Sequence, residues 1–262
     1  MKSYTLSQIE RWRERVHRRS PRRHITNKRQ AVRFVNEVGF CFVFRTGNSD
    51  LPCLGDTLEN AEDGSILPDE RDAFHGKLLL RRPMLISLEY LPYFIALIDG
   101  REAAARARSG KSMLGTTGHM ILEHLRRKSP QSTRDLQQRI TMSTGVGKGA
   151  VDLALTELQT RMLIASLSGR RKPSSAVWAP ARKLYRGQAQ KARRIIVEEA
   201  RRAILERHFR NQLVVTVADI RRLFRWERQE IFQTLGELIS RGVVTPEVQV
   251  EGIAARTYCL LT

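Results

Sequence analysis

Apolar positions along this chain recur at helical spacing in most stretches and in short unbroken runs in a few, and that contrast sets the expected order of elements. Over residues 28–38, Ala31, Val35 and Val38 share one face, Asn27 stands where a cap is needed, and Gly39 suits a stop. The uncharged run from Val38 to Phe44, inside "EVGFCFVF", then reads as a strand. Further on, "RDAFHGKLLLR" reads as a helix, "PMLISLEY" as a strand, and "LPYFIALIDG" as a short helix closing a first unit near residue 100.

The next stretch has a plainer pattern. "TTGHMILEHLRRK" gives a helix with Met120, Ile121, His124 and Leu125 inward. "QSTRDLQQRI" gives a second, opened by Ser132, and "GVGKGAVDLALTELQTRM" a third, with Val151, Leu155, Leu158 and Met162 on one face. Two apolar runs follow, "LIASLS" and "SAVWAP", joined by the basic turn "GRRKPS". Three helices and a hairpin with a basic tip are the winged-helix pattern, a variant of helix-turn-helix. The same order returns in "KARRIIVEEARRAILERHF", read as one long helix, "TVADIRRLF", capped by Thr216, and "RWERQEIFQTLGELISRG", with Ile231, Leu235 and Leu238 inward. "VVTPEVQVEGIAARTYCLL" supplies its hairpin. The expectation is a mainly α protein with small β-hairpins, of α+β class, built from tandem winged-helix units. Its units are residues 1–108 (a basic helix, a first unit and an acidic loop), 109–182 and 183–262.

Charge turns this architecture toward a partner. The 262 residues carry a formal net charge of +19, beyond what solubility requires, which predicts attraction to a polyanion. Residues 1–33 alone hold eleven basic residues against two acids, whereas residues 48–72 hold eight acids against one arginine and read as a long acidic surface loop. The longest apolar stretch, "PMLISLEYLPYFIALI", is broken by Glu89 and two prolines, so no membrane segment is expected. With no leader-like h-region at the start, the expected location is cytoplasmic, on the nucleoid if the source is bacterial. Three cysteines, Cys41, Cys53 and Cys259, lack the paired spacing of a disulfide framework or a zinc site, and the six histidines show no metal spacing.

Several motifs compete for the role of contact. "ARARSGKS" matches a relaxed phosphate-loop pattern at Lys111 and Ser112, but it follows a polar, helix-prone stretch where a buried strand would be required, and it reads as a basic linker. No nucleotide cofactor is expected. "STGVGKGA" offers Ser143, Thr144 and Lys148 as phosphate contacts at the start of a recognition helix; the competing reading is a flexible turn. Arg225, Arg228, Gln229 and Gln233 fall opposite the inward residues of the last helix and have the geometry to read guanine and adenine edges, although a solvated face looks the same. Arg170, Arg171 and Lys172 crown the second hairpin. In "RWRERVHRRSPRRH", Arg11, Arg15, Arg18, Arg19, Arg22 and Arg23 form a basic strap able to track phosphates, on a helix whose Ile9, Trp12 and Val16 make an apolar face too narrow for membrane adsorption.

The tandem plan, with "RQAVRFVNEVGFCFVF" after a basic N-terminal helix and "GKLLLRRPMLISLEYLPYFIAL" beyond it, resembles the AlkZ/YcaQ family of winged-helix DNA glycosylases, most closely its AlkZ-related branch. The resemblance implies a relative of enzymes that excise alkylated or crosslinked purines, using a Gln-x-Asp or Gln-x-Gln motif just after a helix ending in a Leu-Gly-like turn. Laid on this chain, that motif falls on Phe42 and Phe44, neither of which can accept a proton or position water. Glu37 and Asn36 are the nearest candidates for a displaced catalytic pair, and Glu89 with Tyr90, at a strand end in the same unit, is another. "QAQ" at residues 188–190 copies the motif's letters in a linker. The resemblance therefore implies a protein that binds double-stranded DNA, damaged or structured forms included, without the family's motif. An active glycosylase using a shifted carboxylate and a winged-helix transcription regulator are the alternatives. Oligomeric state stays open.

Overall fold

The structure, a computed structural model, describes residues 3–44, 51–58, 66–109, 114–167 and 176–261. It opens with β1 (Ser3–Tyr4) and α1 (Leu6–Val16), whose first turn is closed by a capping box between Thr5 and Gln8. Ile9 is buried and Trp12 and Val16 half-buried, so the apolar stripe of α1 faces the body of the protein. α2 (Lys28–Val38) starts at Asn27, whose side chain accepts from the Gln30 amide, and stops at Gly39 with φ 75°. β2 (Phe40–Phe42) leaves directly from that turn.

The first unit departs from expectation in three places. Residues 71–81 do not form a helix: they contain β3 (Ala73–Gly76), which pairs antiparallel with β4 (Met84–Ser87). Both faces of this strand are buried, and a short apolar run buried on both sides has no helical period to display. α3 (Leu91–Ser109) runs well past residue 100, because Gly100 is a contact point and not a stop; a Cβ there would meet Val197 Cγ2 at 2.2 Å. The acidic stretch is only partly a surface loop. Leu51, Cys53, Leu54 and Ile66 are buried, and bridges run from Phe42 to Cys53 and from Ile25 to Leu58. Three of its described acids face the basic arm: Asp69 and Asp72 lie 2.5 and 3.0 Å from Lys28, and Asp56 lies 3.9 Å from Arg19.

The second unit follows its pattern: α4 (Thr116–Arg127), β5 (Gln131–Ser132), α5 (Thr133–Thr144) capped by Ser132, α6 (Lys148–Thr160), β6 (Ile164–Ser166) and β7 (Val177–Pro180). Two short helices, α7 (Ala181–Leu184) and α8 (Arg186–Ala192), lead to α9 (Val197–Gln212). The single long helix expected over 191–209 is thus broken at residues 193–196. Ile196 is extended there, and α9 restarts with Val197 against Gly100 and Glu198 and Glu199 at its positive end. β8 (Val214–Thr216), α10 (Val217–Phe224) capped by Thr216, α11 (Arg228–Ser240), β9 (Val244–Val250) and β10 (Ile253–Leu260) complete the chain in the expected order.

Three small sheets share one topology. Their orders are β2-β4-β3, β5-β7-β6 and β8-β10-β9, each placing the last strand between the other two, and β1 adds in parallel to the free edge of β9. The fold is α+β, helices around small antiparallel sheets. Between β2 and β3, where the other two units hold two helices, the described residues contain a 3-10 turn at Leu54–Asp56 and no α-helix. One large apolar cluster joins the first stretch to the last, with Phe40 edge-on to Phe94 at 5.2 Å and continuing through Ile204, Phe209, Phe224 and Trp226. A separate cluster built on Ile121, Leu125, Leu136, Val151, Leu155 and Leu158 holds the second unit. No described helix is long and apolar enough to cross a membrane.

Candidate nucleic-acid interface

The basic arm divides into internal and outward arginines. Arg18 reaches Glu37 at 2.5 Å and Arg19 lies 3.9 Å from Asp56, so both help to hold the arm to the body. Arg11, Arg15, Arg22 and Arg23 are exposed and meet no carboxylate among the described residues; Arg15 stacks on Trp12 at 4.6 Å, and Arg23 donates to the Arg15 carbonyl. These four offer guanidinium groups to an outside anion.

The end of α2 is built by two segments far apart in sequence. Gly39 is packed so closely that a Cβ would meet Arg207 Cγ and Tyr90 Cδ2, both at 3.0 Å, and its positive φ excludes most side chains independently. The carbonyls left over at this helix end are taken by α9: Arg207 Nη1 donates to Glu37 O and Asn211 Nδ2 donates to Val38 O, each at 2.9 Å. Arg207 also donates to the Tyr90 hydroxyl at 2.9 Å and lies over its ring. The Glu37 carboxylate accepts from Arg18 on one oxygen and from Arg33, at 2.9 Å, on the other. Asn36 is exposed beside it. The two aromatic positions then separate: Phe42 is 1% exposed inside the large cluster, while Phe44 is 44% exposed. The guanidinium of Arg82 lies 5.9 Å from the Phe42 ring centroid.

The other predicted contacts occupy three surfaces. Ser143 and Thr144 are exposed at the last turn of α5, where both hydroxyls donate back to Ile140 O, and not on the helix that follows. Lys148 is exposed at the first turn of α6, whose cap residue Gly147 supplies no side-chain partner. Arg170, Arg171 and Lys172 lie outside the described residues. Arg225, Arg228, Gln229 and Gln233 are all exposed, the last three along α11, where Arg228 lies over the half-open ring of Phe232 at 5.5 Å. The structure therefore brings Glu37 together with Arg18, Arg33 and Arg207, and distributes the remaining candidates over the N-terminal arm, α6 and α11. Sequence reasoning missed Arg207 and Asn211, which carry no local motif, and Arg82, which the helical reading of residues 71–81 concealed; Tyr90, marked with Glu89 as a displaced candidate, accepts from Arg207.

This arrangement defines an α+β protein in which small sheets of one repeated order carry exposed basic helices. The AlkZ-related family profile matches residues 25–225, and the chain belongs to that family. Among solved structures, it resembles the DNA glycosylase AlkZ of Streptomyces sahachiroi, with a TM-score of 0.64 at 14% identity, over 99% of this chain and 70% of that one. At that identity the likeness is one of fold. No curated protein sequence matches the chain.

Proposed function

We propose that this protein binds duplex DNA through winged-helix-type units and does not excise bases from it. The carrying observation is the residue that follows the α2 turn. Where the family's first polar catalytic side chain is expected stands Phe42, closed into the core, with a cationic guanidinium 5.9 Å from its ring. Base excision builds positive charge on the deoxyribose, which the carboxylate of a Gln-x-Asp motif would favour; Phe44 at its place is uncharged, and the arginine beside Phe42 opposes that charge. Glu37 is a poor substitute, because each of its oxygens already accepts from an arginine. Support for DNA as the partner comes from family membership, the +19 charge and the exposed basic residues on the arm, α6 and α11.

Two measurements test the reading. Affinity for duplex should fall with salt at a log–log slope of about −5 or steeper if at least about six phosphates are neutralised. A flat response removes DNA as the partner. Incubation with alkylated or crosslinked duplex should give no abasic sites above background. Abasic sites that form with the native chain and vanish in Glu37→Gln would establish the displaced-carboxylate glycosylase instead. A preference of about a thousandfold for one sequence over random duplex would favour a regulator.

A further inference from the structure

The β3–β4 turn meets the end of β2 at Phe44, the second of the two positions on which the family's motif falls. Arg82 N donates to Leu79 O at 3.0 Å, and Leu79 is buried, so the turn is anchored. Leu80 and Arg81 follow with φ 53° and 55°, two consecutive left-handed residues of which neither is glycine. The effect is to hold Arg81 and Arg82 outward on a fixed backbone, and neither meets a carboxylate among the described residues. The β2–β4 register pairs Phe40 with Ile86, Cys41 with Leu85 and Phe42 with Met84, and it is continued by Val43 N donating to Pro83 O at 3.0 Å. Extended one residue further, it sets Phe44 against Arg82. Arg81 also borders an open groove of about 700 Å³ whose opposite wall is the start of α4, at Gly115 and Thr116, and the outer face of α6, at Ala150 and Leu153. The turn thus continues the face of the predicted recognition helix.

An exposed phenylalanine in register with the Arg82 position, with Arg81 next along the turn at the groove, has limited chemistry. Its ring cannot read a base edge, having no donor or acceptor, but it offers a π-face. A paired base inside a duplex has both of its own faces covered, so only a base that has left the stack can use that ring. Guanidinium groups alongside suit the flanking phosphates. We propose that Phe44, with Arg81 and Arg82, is the contact for an unstacked nucleotide in otherwise duplex DNA: the ring takes the base, and the arginines take the backbone. This rests on the DNA-binding reading above and adds the form of DNA preferred.

The test is fluorescence anisotropy on a fully paired duplex and on the same duplex with a one-nucleotide bulge. The native chain should prefer the bulged duplex, and Phe44→Ala should lose about tenfold on it while leaving the paired duplex unchanged. Phe44→Trp should keep the preference. Joint replacement of Arg81 and Arg82 by Ala should weaken binding to both duplexes and make the salt slope shallower by about two. Melting curves of each variant, matching the native chain, exclude unfolding as the cause. If the native chain binds both duplexes equally, or Phe44→Ala changes both alike, the proposal is overturned and DNA binding stands. If the native chain binds neither, the parent reading falls with it.

Discussion

Three histidines, His17, His75 and His208, are buried in the body of the protein, His17 at the end of the helix that carries the basic arm. His17 and His208 are almost fully buried, and burial above all, with Arg13 near both and Arg19 near His17, drives each pKa from the ordinary 6.5 to about 3. His75 is lowered to about 4, also chiefly by burial. His17 bonds through Nε2 to the Asn211 carbonyl at 3.0 Å, so Nε2 must carry the proton, and His208 sits edge-on to Phe224 at 5.3 Å. All three stay neutral in the folded chain while the unfolded chain protonates them near 6.5. Their contribution is therefore complete above that pH and is lost as pH falls from about 6.5 toward 4, at about 1.4 kcal/mol per pH unit for each. Urea unfolding at pH 7.5 and at pH 5.5 should show a clear fall in stability. His17→Gln, which keeps a donor for Asn211, should reduce the dependence; a chain equally stable at both values would contradict these buried neutral states.

Elements are held together here by side chains that close other elements' ends. α9 gives Arg207 and Asn211 to the last carbonyls of α2, and its own last carbonyls receive α1, with Trp12 Nε1 donating to Arg210 O at 3.1 Å and His17 bonding Asn211 O. Asn211→Ala leaves the Val38 carbonyl buried with one donor fewer, and should cost about 1–3 kcal/mol in chemical denaturation, far more than an exposed ion pair such as Arg33–Glu37 is worth. The caps of α2, α5 and α10 were legible because Asn27, Ser132 and Thr216 are local signals, with partners three residues away. What stayed hidden was tertiary. Nothing near Gly100 announces that Val197 will press on it, nor does any glycine or proline mark the break before α9. β3 is a strand because β4 lies beside it, whatever helical spacing the surrounding run of residues 71–81 suggests. The candidate site divides the same way: the arm and α11 show in the sequence, whereas Arg82 acquires meaning only when β2 and β4 bring it to Phe44.

At the scale of the molecule, three apolar clusters do the holding: one shared mainly by the first and last stretches, one within the first stretch around Phe34, Val35, Cys41 and Leu85, and one confined to the second unit. Leu155→Ala should therefore destabilise the second unit by about 2–5 kcal/mol. Hydrogen exchange should register the change in α4, α5 and α6, leaving protection in α9 and β2 near its native level. Uniform loss everywhere would mean that the clusters unfold as one. The repeated sheet order emerged at this scale too, since the described residues of the first copy show, between β2 and β3, none of the helices that made the other two visible.

The pairing of β1 with β9 also has a consequence in time. Ser3 and Tyr4 align with Gln249 and Val250, and α1 docks on α9, so the arm's binding surface lies near the far end of the chain. At about 5–20 residues per second, a ribosome takes roughly ten to fifty seconds to deliver that partner. Throughout that interval, eleven basic residues wait without their docking surface beside the most abundant polyanion in the cell, the ribosome's own RNA. Glu10 and Glu37, then Asp56, Asp69 and Asp72, emerge early and lie against Arg13, Arg18, Arg19, Arg33 and Lys28 in the finished fold, which makes them the counter-charges the nascent arm can find before that surface exists.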